Sequence, residues 1–208
     1  MSVNGALAQT GMTIHADDVV MLDERVLQLE NHAYVLLNKP GGTITTASDP
    51  QGRPTVTELV ERPERLFPVG RLDADTTGAI LLTNDGELAH RLAHPSFGVE
   101  KAYLATVVGV PDARALSMLA SGVDLDDGAT SPAQARVVRQ SAGDSVVELV
   151  LHEGRKHQVK RMFAAVGHPV NGLERARYAM LTVKGLAPAE WRELTSAEVD
   201  QLRRITTR

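Results

Sequence analysis

The chain has 208 residues, of which 43% are hydrophobic, enough for one or two domains with a real core. It has no cysteine, which excludes disulfides and thiolate metal sites, and no apolar run approaches the roughly 20 residues of a membrane span. The net charge of −4 argues against indiscriminate nucleic-acid binding, so a nucleic-acid partner requires a local basic patch. With 3 Phe, 3 Tyr and 1 Trp, the chain has too few aromatic residues for an extended stacking platform, so any gripped base occupies one pocket.

The first third of the chain is predicted to be rich in strands. Residues 3–27 alternate short apolar pairs with polar turns, and the apolar run 34–38 predicts a further strand. The segment 39–42, Lys-Pro-Gly-Gly, predicts a turn after that strand. Lys39 in this turn is a candidate phosphate contact, and a plain solvated turn is an equally good interpretation.

A polar loop from Phe67 to Gly78 is followed by the apolar run 79–83, which predicts a buried strand entered from that loop. Arg71 and Asp73 are two residues apart in the loop, so their side chains share a face if the backbone is extended. One cation and one carboxylate are thereby predicted to address the same cleft at the mouth of a sheet. The competing interpretation is a solvated turn with a weak surface ion pair.

Capping and stop signals along the chain predict several short helices. Alternating segments joined by short turns predict antiparallel strands. The predicted helices are 56–62, 87–93, 112–120, 156–166 and 195–204, and the predicted strands include 99–108, 123–125, 135–139 and 145–151. His94 is predicted to be a turn residue that ends a helix, since no metal-binding spacing accompanies it.

The helix predicted at 156–166 has apolar residues at i, i+3, i+4 and i+7, which form one core-facing stripe. At about 100° per residue, Lys156 and Lys160 fall at the edge of the stripe, and His157 and Arg161 fall nearer the opposite face. Edge lysines can extend their ammonium groups into an adjoining cleft, whereas cations on the outer face are available to phosphates.

The segment 151–178 is strongly basic, with six Lys or Arg against two Glu. A basic helix face is usually only solvated, but this excess on an acidic chain favours contact with RNA phosphates. The cations are Arg155, Lys156, Lys160, Arg161, Arg175 and Arg177.

Several short motifs follow one another along the chain. They are 37–42 (LNKPGG), 70–78 (GRLDADTTG), 83–88 (TNDGEL), 94–96 (HPS), 101–103 (KAY) and 153–163 (EGRKHQVKRMF). In this order they resemble the motifs of the RsuA family of pseudouridine synthases, and the resemblance runs from about Tyr34 to Trp191. The segment 153–166 is most similar to the branch that acts on small-subunit ribosomal RNA.

The resemblance implies an enzyme that isomerises a specific uridine in ribosomal RNA to pseudouridine. It implies an α+β pseudouridine synthase fold, with a mixed, largely antiparallel sheet, flanking helices and a central catalytic cleft. Asp73 is implied to be the catalytic carboxylate, Tyr103 the aromatic residue against the flipped uracil, and Lys160 the cation paired with Asp73. The residues implied or predicted to bind the substrate RNA are Arg71, Arg155, Lys156, Arg161 and Lys39.

The resemblance also divides the chain into residues 1–30, a partial S4-like RNA-binding segment without its N-terminal half, and residues 31–208, the catalytic domain. Ribosomal RNA, in a subunit or an assembly intermediate, is the implied partner. We expect a cytoplasmic monomer that uses no cofactor and no metal and does not contact a membrane. One carboxylate is sufficient because the base never leaves the pocket, whereas glycosidases need two.

Two other functions stay open: a non-catalytic RNA-binding module, and a glycosyl-transfer enzyme that acts on nucleosides. The combination of Asp73, Tyr103 and Lys160 argues against the first, and the local basic cluster argues against the second. The role of Asp73 as nucleophile or as base is also open. The geometric prediction is that the Lys160 ammonium lies within about 4 Å of an Asp73 oxygen, while Arg161 faces solvent or RNA.

Overall fold

A computed structural model describes residues 1–15, 17–27 and 30–207 of the chain. The chain forms two compact units, Met1–His32 and Ala33–Arg208. No helix in the described ranges is long and apolar enough to cross a bilayer. The likeness of residues 1–30 to an S4 domain remains a prediction.

The first unit is a small antiparallel sheet of four short strands, in agreement with the alternation in its sequence. The strands are β1 (Ser2–Val3), β2 (Ala6–Leu7), β3 (Val20–Leu22) and β4 (Arg25–Val26), and their order in the sheet is β2-β1-β3-β4.

The second unit is built on a nine-stranded sheet and one separate hairpin. The sheet strands are β5 (Tyr34–Lys39), β6 (Phe67–Pro68), β7 (Thr77–Thr83), β8 (Lys101–Val108), β11 (Gln134–Gln140), β12 (Asp144–Leu151), β13 (Val170–Tyr178), β14 (Leu181–Thr182) and β15 (Trp191–Glu193), and the hairpin consists of β9 (Asp124–Leu125) and β10 (Gly128–Ala129). The main path of the sheet is β11-β12-β8-β13-β7-β5-β15. Among the described residues, β13–β7 is the only parallel strand pair of this sheet, so the predicted α+β class with a largely antiparallel sheet is confirmed.

Four α-helices flank the sheet within the described residues: α1 (Gly86–Ala93), α2 (Ala113–Ser121), α3 (Gln158–Ala165) and α4 (Ser196–Ile205). Side-chain caps hold three of these helices. At the start of α1 the Asp85 carboxylate accepts a hydrogen bond from the Leu88 N–H. At the start of α2 the Asp112 carboxylate accepts one from the Ala115 N–H. Thr195 forms a full capping box with Glu198 at α4. His94 ends α1 and opens a short 3₁₀ turn, as expected of a turn residue.

The prediction of a helix at 56–62 is wrong, because residues 56–59 form turns and residues 60–62 are irregular. Thr55 and Glu58 do form the reciprocal hydrogen bonds of a capping box, from the Thr55 N–H to Glu58 and from the Glu58 N–H to Thr55. However, Pro63 limits a helix that starts at Val56 to less than two turns. A helix this short adds too few hydrogen bonds to offset the unfavourable free energy of nucleation.

Helix α3 begins two residues later than the pattern predicts. His157 has φ 51° and ψ 28°, a left-handed conformation that turns the chain into the helix, so Lys156 and His157 precede α3. The core-facing stripe is confirmed, since Val159, Met162 and Phe163 are buried. The predicted helix faces of Lys156 and His157 are therefore wrong, because neither residue is helical.

Two apolar clusters form the core. The central strands β5 and β7 are buried on both sides and send alternate side chains to each cluster, such as Leu37 to the first and Leu36 to the second. The first cluster contains the stripe of α3, and the second contains the buried residues of α1. The loop before β7 is thus anchored to the most deeply buried part of the sheet.

Candidate active site

A cleft of about 690 Å³ opens over the loop that precedes β7. Its volume lies in the roughly 300–1,000 Å³ range of ligand sites, so a nucleotide fits. Asp73 from the loop, Tyr103 from β8 and His157 from the start of α3 line it together with Arg71, Lys101 and Arg175. Loop, strand and helix start therefore converge on one place, as the sequence predicts for Asp73 and Tyr103.

The Asp73 carboxylate lies between two nitrogen groups. The Lys160 ammonium is 3.6 Å from Oδ2, and His157 Nε2 is 3.4 Å from Oδ1. The predicted separation of Lys160 and Asp73 is confirmed. Both carboxylate oxygens thus have a nitrogen group within ion-pair distance, which restricts the rotation of the carboxylate.

Lys160 also binds a second carboxylate of the same loop, that of Asp75. Its ammonium donates to the two Asp75 oxygens at 2.6 and 2.8 Å, which are shorter distances than that to Asp73. The hydrogen bond from Lys160 lowers the pKa of Asp75. Lys160 therefore connects α3 to two points of the loop.

Tyr103 is 9% exposed and lies in the first apolar cluster, yet it also lines the cleft. It is paired with Arg175 across the β8–β13 ladder. Directly opposite residues of an antiparallel pair project from the same face, so Arg175 is a neighbour of Tyr103. The aromatic ring implied to contact uracil is consequently flanked by a buried guanidinium.

Lys39 is fully buried beneath the loop, so its predicted contact with an RNA phosphate is wrong. Its ammonium donates to the carbonyls of Pro40 at 3.0 Å, Ala74 at 3.1 Å and Thr76 at 2.8 Å. Burial lowers the pKa of Lys39 to about 8. Lys39 therefore fixes the backbone of the loop that carries Asp73.

Arg155 and Arg161 bind the β9–β10 hairpin, so protein groups occupy both guanidinium groups in this structure, and their contact with RNA phosphates stays a prediction. Arg161 donates two hydrogen bonds to the Asp127 carboxylate, at 2.6 and 3.1 Å. Arg155 donates to the carbonyls of Gly128 at 2.8 Å and Ala129 at 2.6 Å. The proximity of Arg161 lowers the pKa of Asp127 to about 2.

Two of the predicted RNA-binding cations remain free at the rim of the cleft. Arg71 and Lys156 both line it and are exposed, and no ion pair holds either charged group among the described residues. These two side chains are positioned to meet the charged backbone of a nucleotide in the cleft.

Sequence reasoning missed two groups of the cleft, His157 and Lys101, and it counted a third, Arg175, only as one cation of the basic segment. The position of Lys101 at the cleft could have been predicted, because Lys101 is two residues before Tyr103 on a strand and shares its face. His157 was not, because only its left-handed backbone brings it to Asp73. No cluster of three or more metal-ligating side chains occurs within the ranges that the structure describes.

Comparison with known proteins identifies the class of this site. Residues 33–165 match the family described as RNA pseudouridylate synthase, and the chain belongs to that family. It is an RNA pseudouridine synthase, an isomerase.

Individual relatives match most of the chain. It is 41% identical to the ribosomal large subunit pseudouridine synthase B of Bacillus subtilis, over 99% of this chain and 86% of that protein. It is 40% identical to an uncharacterized RNA pseudouridine synthase of Aquifex aeolicus, over 97% of this chain and 83% of that protein. A solved pseudouridylate synthase superposes with a TM-score of 0.76 at 35% identity, covering 97% of this chain and 87% of the other.

Proposed function

We propose that this enzyme isomerises a uridine of ribosomal RNA to pseudouridine, with Asp73 as the catalytic carboxylate. The observation that carries the proposal is the Asp73 carboxylate at the cleft, held by Lys160 at 3.6 Å and His157 at 3.4 Å beside Tyr103. A carboxylate held between an ammonium and an imidazole nitrogen inside a pocket has a fixed direction, as nucleophilic or basic attack on a ribose requires.

The reaction breaks the bond from ribose C1′ to uracil N1 and rejoins the ring through C5. Asp73 either attacks C1′ or removes a ribose proton while the base stays in the cleft. The target nucleotide must first leave its stack, which costs a few kcal/mol. Tyr103 contacts the flipped base, and Arg71 and Lys156 at the rim hold the RNA strand that bends into the cleft. During the whole reaction Lys39 keeps the loop in place, because its ammonium donates to three backbone carbonyls of other residues.

The choice of ribosomal RNA is supported by the name of the Bacillus subtilis relative, ribosomal large subunit pseudouridine synthase B, which refers to the large subunit. We therefore propose large-subunit RNA as the substrate. The likeness of residues 153–166 to the small-subunit branch favours small-subunit RNA as a second candidate. We further propose that the enzyme is a cytoplasmic monomer that needs no metal or cofactor, and that residues 1–30 act as a partial S4-like RNA-binding segment.

The test is to map pseudouridine in both ribosomal RNAs from cells with and without this protein. We expect one pseudouridine to disappear without the protein and to return with the wild-type chain or the Asp200→Asn control, which changes an exposed carboxylate on α4. The Asp73→Asn chain should not restore it. Loss from the small-subunit RNA selects the second candidate. An unchanged map in both RNAs, together with isomerisation of free uridine by the purified protein, contradicts the proposal and supports the nucleoside enzyme.

A further inference from the structure

Two cations lie buried under the cleft, and neither has a carboxylate partner among the described residues. Arg175 is 1% exposed and Lys101 is 8% exposed. By contrast, the more exposed Arg177, also on β13, pairs with Glu100 at 3.0 Å. Among the residues that the structure describes, Lys101 and Arg175 have only neutral partners. Burying a charge is costly unless an opposite charge or a full set of hydrogen bonds compensates it.

The hydrogen bonds of these two groups are incomplete. The Lys101 ammonium donates to the Val99 carbonyl at 3.1 Å, which accounts for one of its three protons. Arg175 donates from Nε to the Ala79 carbonyl at 2.7 Å and from Nη1 to the Arg71 carbonyl at 3.4 Å. Arg175 Nη2 is buried and has no hydrogen-bond partner within the part of the chain that the structure describes. Donors therefore remain available next to the site of Tyr103.

The strand register brings the two cations to one place. Lys101 and Tyr103 are alternate residues of β8 and share a face, while Arg175 pairs with Tyr103 and Tyr178 with Lys101. The Arg175 guanidinium carbon is 5.0 Å and the Lys101 ammonium 5.8 Å from the centre of the Tyr178 ring. Burial and the nearby charge of Arg175 together lower the pKa of Lys101 to about 8. An anion bound between the two cations relieves both the repulsion and the missing hydrogen bonds.

We propose that Lys101 and Arg175 form an anion subsite for the uracil ring, whose oxygens they contact as negative charge develops on the base. This inference rests on the proposed function. When the C1′–N1 bond breaks, its electron pair stays on uracil, and the negative charge spreads over N1, O2 and O4. The new C1′–C5 bond then uses an electron pair of the ring. The C5 proton is lost and N1 gains a proton, so the change is an isomerisation without an oxidant or reductant.

Burial decides between a base and a phosphate as the ligand. The RNA strand has to enter and leave the cleft, so its phosphates stay near the rim, where Arg71 and Lys156 are exposed. Lys101 and Arg175 lie deeper, beside Tyr103. Donors placed where charge develops in a water-poor site stabilise the transition state more than the ground state. The two cations are therefore expected to raise the rate of isomerisation rather than the affinity for RNA.

The test compares Lys101→Met and Arg175→Met with controls at exposed positions, Lys184→Met and Arg204→Met. Substrate RNA labelled with tritium at uracil C5 reports the single-turnover rate, because isomerisation releases that hydrogen. Filter binding at several salt concentrations reports Kd and its salt slope. We expect each cleft variant to lose about 100-fold in single-turnover rate, the usual effect of removing one transition-state donor, with Kd and salt slope unchanged. The controls should match the wild type.

Three outcomes separate the possibilities. A weaker Kd with a salt slope reduced by about 0.7 per lost contact identifies a phosphate site and overturns the uracil assignment. Full single-turnover rates in both cleft variants also overturn it. A wild-type chain without turnover on any ribosomal RNA contradicts the proposed function instead. Arg175→Met loses two hydrogen bonds to backbone carbonyls, whereas Lys101→Met loses only one. If Arg175→Met fails to fold, the rate and Kd of Lys101→Met alone test the proposal.

Discussion

Gly78 is the position where a single methyl group should disturb both the fold and the cleft. It lies on β7, pairs with Arg175 of β13 and with Lys39 of β5, and has φ +100°. A Cβ at this position would lie 2.4 Å from the Arg175 carbonyl oxygen and 2.9 Å from its carbonyl carbon. Because these atoms are backbone, a side-chain rotation cannot relieve the overlap, and β13 has to move away from β7.

The cost of Gly78→Ala has two parts. A non-glycine residue with positive φ costs roughly 1–2 kcal/mol. Overpacking that shifts the backbone costs about 1–3 kcal/mol more. We therefore expect the free energy of unfolding to fall by about 2–5 kcal/mol, a large share of the 5–15 kcal/mol of a typical domain. Activity should fall in the molecules that stay folded, because Arg175 moves with its strand.

Urea denaturation of Gly78→Ala, Gly172→Ala and Gly86→Ala measures this effect. A Cβ at Gly172 would lie 3.7 Å from the Thr106 side chain, an ordinary contact, and one at Gly86 would have no neighbour within 4 Å. Neither control residue has a positive φ. Both controls should therefore stay near the wild type. A Gly78→Ala chain with unchanged urea midpoint would refute the close approach of β7 and β13.

Two further predictions concern charged groups that the structure reassigns. Because burial lowers the pKa of Lys39 to about 8 from 10.5, the unfolded chain binds more protons between these pH values. Between pH 8 and 10.5 the unfolding free energy of the wild type should therefore rise by up to about 3 kcal/mol more than that of Lys39→Met. Urea denaturation at several pH values measures this difference, and an equal pH dependence of the two proteins would contradict it. Asp127→Asn removes the charge that holds Arg161, so RNA affinity should increase at low salt and its salt slope should steepen. An unchanged slope would show that Arg155 and Arg161 do not reach RNA phosphates.

Local signals in the sequence predict much of the fold. The caps at Asp85, Asp112 and Thr195 define three helices because each cap satisfies backbone groups of its own helix. The buried strands β5 and β7 are likewise visible as apolar runs. Strand β13 is not, because its polar sequence becomes buried only through its neighbours in the sheet, and Arg175 is the extreme example.

The sequence predicts the positions of site residues that depend on local spacing along a helix or strand. It does not predict positions that depend on a binding partner far away in the chain. Lys160 lies beside Asp73 because the apolar stripe of α3 orients it. The same pattern cannot show that Arg161 meets Asp127, since that partner lies on a hairpin more than 30 residues away. Nor can it show that Lys39 is buried, because the carbonyls it binds belong mainly to a distant loop. A count of charges therefore overestimates the surface available to RNA.

The most direct test of the account is the single-turnover reaction of Asp73→Asn on tritium-labelled ribosomal RNA, beside the Asp200→Asn control. The substitution keeps the size of the side chain and removes the charge that Lys160 and His157 hold. We predict that Asp73→Asn binds RNA and unfolds in urea like the wild type but releases no tritium, whereas the control releases it at the wild-type rate. Tritium release at the wild-type rate by a folded Asp73→Asn chain would contradict the assignment of Asp73 as the catalytic carboxylate.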